Sequence, residues 1–121
     1  MNAEFKNVFA QLRQLLQGRA GTLEVTADTQ DHYCLTLPFS PMFKKSFPAA
    51  WVKIEKNYVA YHFMPVYMFP KLREQMSSEL KKRMQGKSCF NFKAVDTALF
   101  KELGELTTEG FAMCRKTGVA P

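Results

Sequence analysis

Trp51-Val52-Lys53-Ile54-Glu55-Lys56-Asn57-Tyr58-Val59-Ala60-Tyr61-His62-Phe63 reads as a β-hairpin. Two runs of β-branched and aromatic residues flank Lys56-Asn57, and Asn tolerates the positive φ that a tight hairpin turn requires. A two-residue loop sets Ile54 opposite Val59, Val52 opposite Tyr61 and Trp51 opposite His62. Strand side chains alternate, so the first two pairs face the core. Trp51, Lys53, Ala60 and His62 then share the opposite face.

Upstream, Leu23 and Val25 alternate with polar neighbours, as do Tyr33, Leu35 and Leu37. Each run predicts a strand with one buried face. Ala27 to Asp31 is the turn between them. Pro38 and Pro41 are expected to stop the second strand, leaving 38–48 as a loop closed by Pro48. Before these, Phe5, Val8, Phe9, Leu12, Leu15 and Leu16 recur at helical spacing, and Gly18 and Gly21 end that helix.

Downstream, Met64 to Pro70 is an apolar, proline-bracketed connection. Pro70 suits the first turn of a short helix from about Lys71. Ser77 or Ser78 caps another, with Leu80 and Met84 facing inward and Gly86 ending it. Ser88 to Lys93 predicts a fifth strand, with Phe90 and Phe92 inward. Asp96 caps a last helix whose inner side carries Leu99, Phe100, Leu103, Leu106, Gly110, Phe111 and Cys114. The tail from Thr117 to Pro121 is expected to fray. The fold class is therefore α+β, one domain over residues 1–121. An antiparallel sheet of about five strands carries the N- and C-terminal helices on one face.

Two stretches, Lys53 to His62 and Met84-Gln85-Gly86-Lys87-Ser88-Cys89-Phe90-Asn91-Phe92-Lys93, followed by the helix from Asp96, resemble the bacterial YdhG-like family of domains of unknown function. The resemblance spans roughly residues 50–112. It implies a small cytosolic α+β protein with a distantly frataxin-like fold, and an iron-chaperone role has been proposed for at least one relative. Frataxin-type iron binding uses an acidic ridge on the first helix. Here that helix offers Glu4 against Lys6, Arg13 and Arg19, too few oxygen ligands for a hard cation.

A chain of 121 residues, 46% hydrophobic, can bury a core without disulfides or metals. It contains no run of about 18 apolar residues, so nothing in it spans a membrane. The start is amphipathic and lacks the pattern of a secretory signal. Three dispersed cysteines without a CxxC motif fit reduced thiols in the cytoplasm. The net charge of +6 is uneven. Residues 71–87 hold six basic side chains against Glu74 and Glu79, whereas residues 21–43 hold only acidic charges, Glu24, Asp28 and Asp31. Such asymmetry suits an anionic partner, and ordinary solvated surfaces show it too.

Gly86-Lys87-Ser88 mimics the end of a phosphate-binding loop. However, Lys81 stands where that loop needs its first Gly, and the run goes from helix into strand. Strand parity sets His32, Cys34, His62 and Cys89 on the outer sheet face, at a spacing that matches no zinc pattern. No metal or cofactor is implied. Trp51, His62, Lys87 and Asn91 are the candidate residues for binding a protein or small-molecule ligand on that face. A covering loop 38–48 or a second subunit would equally account for its aromatics, so both monomer and homodimer stand open. Lys81, Lys82 and Arg83 form a candidate anion site. With Lys87, Tyr67 and Phe69 they also suit nucleic acid, although no recognition motif accompanies the charge. The expected function is a non-enzymatic binding or interaction module. The alternatives are an enzyme on a small anionic metabolite, with His62 as acid or base and Lys87 or Arg83 holding the anion, and nucleic-acid binding through residues 71–87.

Overall fold

Apolar residues three and four apart make the first helix, and the Asn2 side chain accepts the Glu4 amide at its start. In the computed structural model, which describes residues 2–120, this is α1 (Ala3–Gln17). It is followed by β1 (Glu24–Asp28), β2 (His32–Ser40), β3 (Lys45–Ile54) and β4 (Val59–Phe63). Three short helices come next, α2 (Met64–Met68), α3 (Pro70–Gln75) and α4 (Ser78–Lys81), then β5 (Met84–Gln85), β6 (Cys89–Phe92) and α5 (Thr97–Thr117). The six strands form one open antiparallel sheet in the order β1-β2-β3-β4-β6-β5. After β4 the chain loops out through the short helices, returns at the far edge as β5, and inserts β6 beside β4.

The predicted hairpin register is met: Ile54 lies opposite Val59, Val52 opposite Tyr61 and Trp51 opposite His62. Val52, Val59, Tyr61, Phe63, Phe90 and Phe92 are buried on the inner face. They join Val8, Phe9, Leu12 and Leu16 of α1 and Leu99, Leu103 and Phe111 of α5 in one core. Edge-on ring contacts dock α5 on the sheet, Phe63 with Phe111 at 5.3 Å and Phe92 with Phe100 at 5.0 Å. One polar link crosses this interface. Thr107 donates its hydroxyl to the Leu103 carbonyl at 2.7 Å, so the buried Tyr61 hydroxyl must donate to Thr107 Oγ1, also at 2.7 Å. Burial pushes the Tyr61 pKa up, which keeps the phenol protonated.

Four expectations need correction. The sheet has six strands, not about five, because the predicted helix stops at Lys81 and Met84-Gln85 pairs with β6. Gly86, at φ 79°, makes the turn, a conformation other residues adopt at a cost. Residues 38–48 are not a loop: β2 continues through Pro38 to Ser40, and β3 starts at Lys45. Pro38 in β2 and Pro48 in β3 are tolerated because the strands outrun their neighbours. β1 pairs with β2 only as far as Thr36, and β4 pairs with β3 only from Ala50, so the outer edges of 37–48 need no ladder donor. The tail is packed rather than frayed. Val119 is buried, Gly118 turns at φ 82°, and the Ala120 amide donates to the Cys114 carbonyl at 2.9 Å. Pro121 lies outside the described residues. Finally, Val25 shares the inner parity but is half exposed, because β1 is the edge strand.

A Cβ at Gly110 would sit 2.5 Å from Phe63 Cζ and 3.0 Å from Pro65 Cβ, inside the packed seam of α5 and β4. Gly110→Ala should therefore cost about 1–3 kcal/mol by overpacking. In urea it should lower the unfolding midpoint with an unchanged slope; a wild-type midpoint would contradict the close packing. Tyr61→Phe should cost about 0.5–1.5 kcal/mol in the same assay, the usual value of one buried hydrogen bond.

Candidate functional site

Alternation in four neighbouring strands builds the outer face. Cys34 on β2 lies opposite Trp51 on β3, Trp51 opposite His62 on β4, and His62 opposite Cys89 on β6. The adjacent row runs His32, Lys53, Ala60, Asn91. The Trp51 and His62 rings stack with centroids 4.3 Å apart and planes 16° from parallel. Both remain half-buried. Residues 37–48 extend the sheet instead of lying over this face as a covering loop.

The chemistry of the row follows from its partial burial. Desolvation pulls the His62 pKa below the ordinary 6.5, with Glu55 acting weakly the other way. Its imidazole is therefore neutral at pH 7, with one donor and one acceptor nitrogen. Burial, helped by Glu55, pushes the Cys89 thiol up to about 11, so it is no nucleophile at neutral pH. Cys89 Sγ donates to Asn91 Oδ1 at 3.2 Å, which leaves the amide NH2 as the group Asn91 can offer. Cys34 is separated from His62 by the whole of β3, roughly two strand spacings of about 4.8 Å. Among the described residues no three His, Cys, Asp or Glu side chains gather as metal ligands. All three cysteines are free thiols.

The basic residues fall into two groups. Lys82 and Arg83 share an open groove with Asn91, Lys93, Tyr58 and Gln85, and the Arg83 carbonyl accepts the Asn91 amide at 2.8 Å. Its space of about 210 Å³ suits a small polar group rather than a whole drug-sized ligand. Lys87 sits at the β5–β6 turn, its ammonium 5.6 Å from the centre of the Tyr67 ring. Lys81 closes α4 and does not line the groove. Lys82 also pairs with Glu79 at 3.3 Å, an exposed contact of little energy. Gly86-Lys87-Ser88 links two strands, not a strand to a helix. Sequence reasoning missed Tyr58 and Gln85. Tyr58 follows the hairpin turn, and Gln85 had been assigned to a helix, which hid its strand parity.

A second, apolar cleft lies between the root of the β2–β3 arm and α5, walled by Leu37, Phe47, Met68, Phe111 and Cys114. Its volume of about 30 Å³ holds one water at most. Two wider, shallow clefts flank α1, one of about 470 Å³ against Arg19 and Phe100 and one of about 430 Å³ against Thr29 and Gln30, and neither touches the outer-face row.

The chain has a single Trp, so its fluorescence reports on this face. Protonated imidazole quenches a stacked indole more than neutral imidazole does. The emission should be flat from pH 8 to about 6.5 and fall only below that, because the folded pKa is depressed. Unfolded chains bind the proton more readily in that window, so stability should also decline as pH drops below about 6.5. His62→Gln should remove the fluorescence transition. A midpoint at or above 6.5 would show that burial does not control this histidine.

No protein-family model, curated protein or solved structure matches the chain.

Proposed function

We propose that this protein is a non-enzymatic binding module that takes its ligand or partner on the outer sheet face. The observation that carries this reading is the Cys34–Trp51–His62–Cys89 row, which offers a half-buried stacked pair with no helix packed over it. The stacked indole and neutral imidazole cover one face of each other and leave their outer faces and edges, a weakly polar surface with an imidazole donor and acceptor, to meet an aromatic or hydrogen-bonding group. The groove at the sheet edge adds Asn91, Lys82 and Arg83, which suits an anionic substituent on the same ligand. Lys87, in the β5–β6 turn, flanks the same Cys89 end of the row, and Lys81 contributes long-range positive charge alone. The raised Cys89 pKa argues against Cys89 as a thiolate nucleophile on this face. The same proposal keeps the YdhG-like kinship of residues 50–112, which covers half of β3, all of β4 and β6 and most of α5, and a cytoplasmic setting in which the thiols stay reduced.

Native mass spectrometry of the freshly purified chain, followed by denaturation of the same sample, tests the reading. A ligand or partner should appear as added mass that vanishes on denaturation. Trp51→Ala and His62→Ala should lose that mass while keeping the wild-type circular dichroism. Retention of it by both variants would sink the assignment to this face. A retained nucleic acid whose affinity drops steeply with salt would move the site to the basic residues instead.

A further inference from the structure

The β2–β3 hairpin runs past every other strand. From Leu37 to Pro48 its two strands pair only with each other. At its end, Phe39 is 49% exposed, Met42 51% and Phe43 43%. These are three of the five large apolar side chains exposed among the described residues, and they fall within five consecutive positions. Single exposed apolar residues are commonplace, but a cluster of this kind marks a contact site.

The tip is held in shape. Ser40 is fully buried and accepts the Phe43 amide on its hydroxyl at 3.2 Å, while its carbonyl accepts the Lys44 amide at 2.7 Å. Lys44 is the single described non-glycine residue with positive φ, at 61°. The Met42 amide donates to the Gly118 carbonyl at 3.1 Å, which ties the tip to the end of α5. Phe43 leans edge-on against Phe47 at 5.7 Å. The apolar side chains are thus presented by a formed turn, so docking orders little new backbone.

The charge around the tip has one sign. Lys44 and Lys45 follow the apolar residues directly, and Arg115 and Lys116 lie in the last turn of α5, beside Gly118. Residues 37–49 and 110–120 contain no Asp or Glu. The nearest acidic residue in register, Glu24, pairs with Thr36 at the root of the arm. Aromatic and Met side chains ringed by Lys and Arg match the boundary of an anionic bilayer. There the apolar groups enter the acyl region and the cations meet headgroup charge. Long basic side chains reach headgroups while their stems stay apolar. Such peripheral contact needs no spanning helix, and no helix here is long and apolar enough to cross a membrane among the described residues.

We infer that the β2–β3 arm docks on an anionic lipid surface, with Phe39, Met42 and Phe43 inserted and Lys44, Lys45, Arg115 and Lys116 on the headgroups. The test is co-sedimentation of the full chain with vesicles of phosphatidylcholine and phosphatidylserine (7:3) and with pure phosphatidylcholine vesicles. Partitioning should require phosphatidylserine and should vanish in high salt. Met42→Ser/Phe43→Ser should lower it by roughly tenfold or more through lost apolar insertion. Lys45→Glu/Lys116→Glu, which touches no apolar contact, should lower it by a similar factor through lost headgroup attraction. Both variants should keep the wild-type unfolding temperature, and Trp51→Ala should partition as wild type. The inference fails if phosphatidylserine vesicles do not bind the chain, if neutral vesicles bind it equally, or if the two double variants bind like wild type. It also fails if light scattering finds a dimer that Met42→Ser/Phe43→Ser dissolves, because the tip would then be the seat of a second copy.

Discussion

The register of β3 against β4 constrains everything else in this molecule. Side chains alternate along each strand, so a slip of one residue would send Val52, Tyr61 and Phe63 to solvent and bring Lys53 and His62 into the core. The two-residue turn at Lys56-Asn57, closed by the Glu55 amide on the Tyr58 carbonyl at 2.8 Å, fixes that register. With it fixed, Tyr61 meets Thr107 and Phe63 meets Phe111, so the inner row selects where α5 lies. The outer row is the other half of the same decision. Trp51 stacks on His62 because their partners one residue away are buried.

The inner and outer faces differ in how they are completed. The inner face is closed by α1 and α5, whose apolar stripes complete one continuous core. The outer face has no second layer, and Trp51, His62, Cys89 and Asn91 rest at partial burial, while Cys34 is buried among its neighbours. Partial burial shifts the ionisation of His62 and Cys89 toward their neutral forms. The Trp51–His62–Cys89 row is therefore uncharged at pH 7, whereas Lys53 in the neighbouring row and Lys82 and Arg83 at the rim are basic.

Much of this architecture was legible in the sequence, wherever the pattern was periodic. The hairpin from Trp51 to Phe63, the inward Phe90 and Phe92, the Asp96 cap, a cap at Ser77 or its neighbour Ser78 and the stripe of α1 all follow from alternation, helical spacing or capping chemistry. What was hidden depends on neighbours distant in sequence. Pro38 and Pro48 ordinarily break strands, and they persist here only because the adjacent strands stop short. The two-residue β5 is too brief to show any period, and its partner is supplied by β6. The candidate site was legible as a face, from parity alone. The meeting of Arg83 with Asn91 was not, because it needs the crossover that brings β5 to the far edge. The exposed tip of the arm was obscured by the same prolines.

Strand order also sorts charge across the molecule. β1, with Glu24 and Asp28, forms one edge of the sheet, and β5, preceded by Lys82 and Arg83, forms the other. Arg13 neutralises part of the acidic edge through Asp28 at 2.6 Å, but the separation of sign survives. The sheet therefore behaves as an electric dipole laid along its width. The two ends of that dipole differ in sign over a distance of several strands, and the difference reaches less far into solution as salt shortens the range of the field.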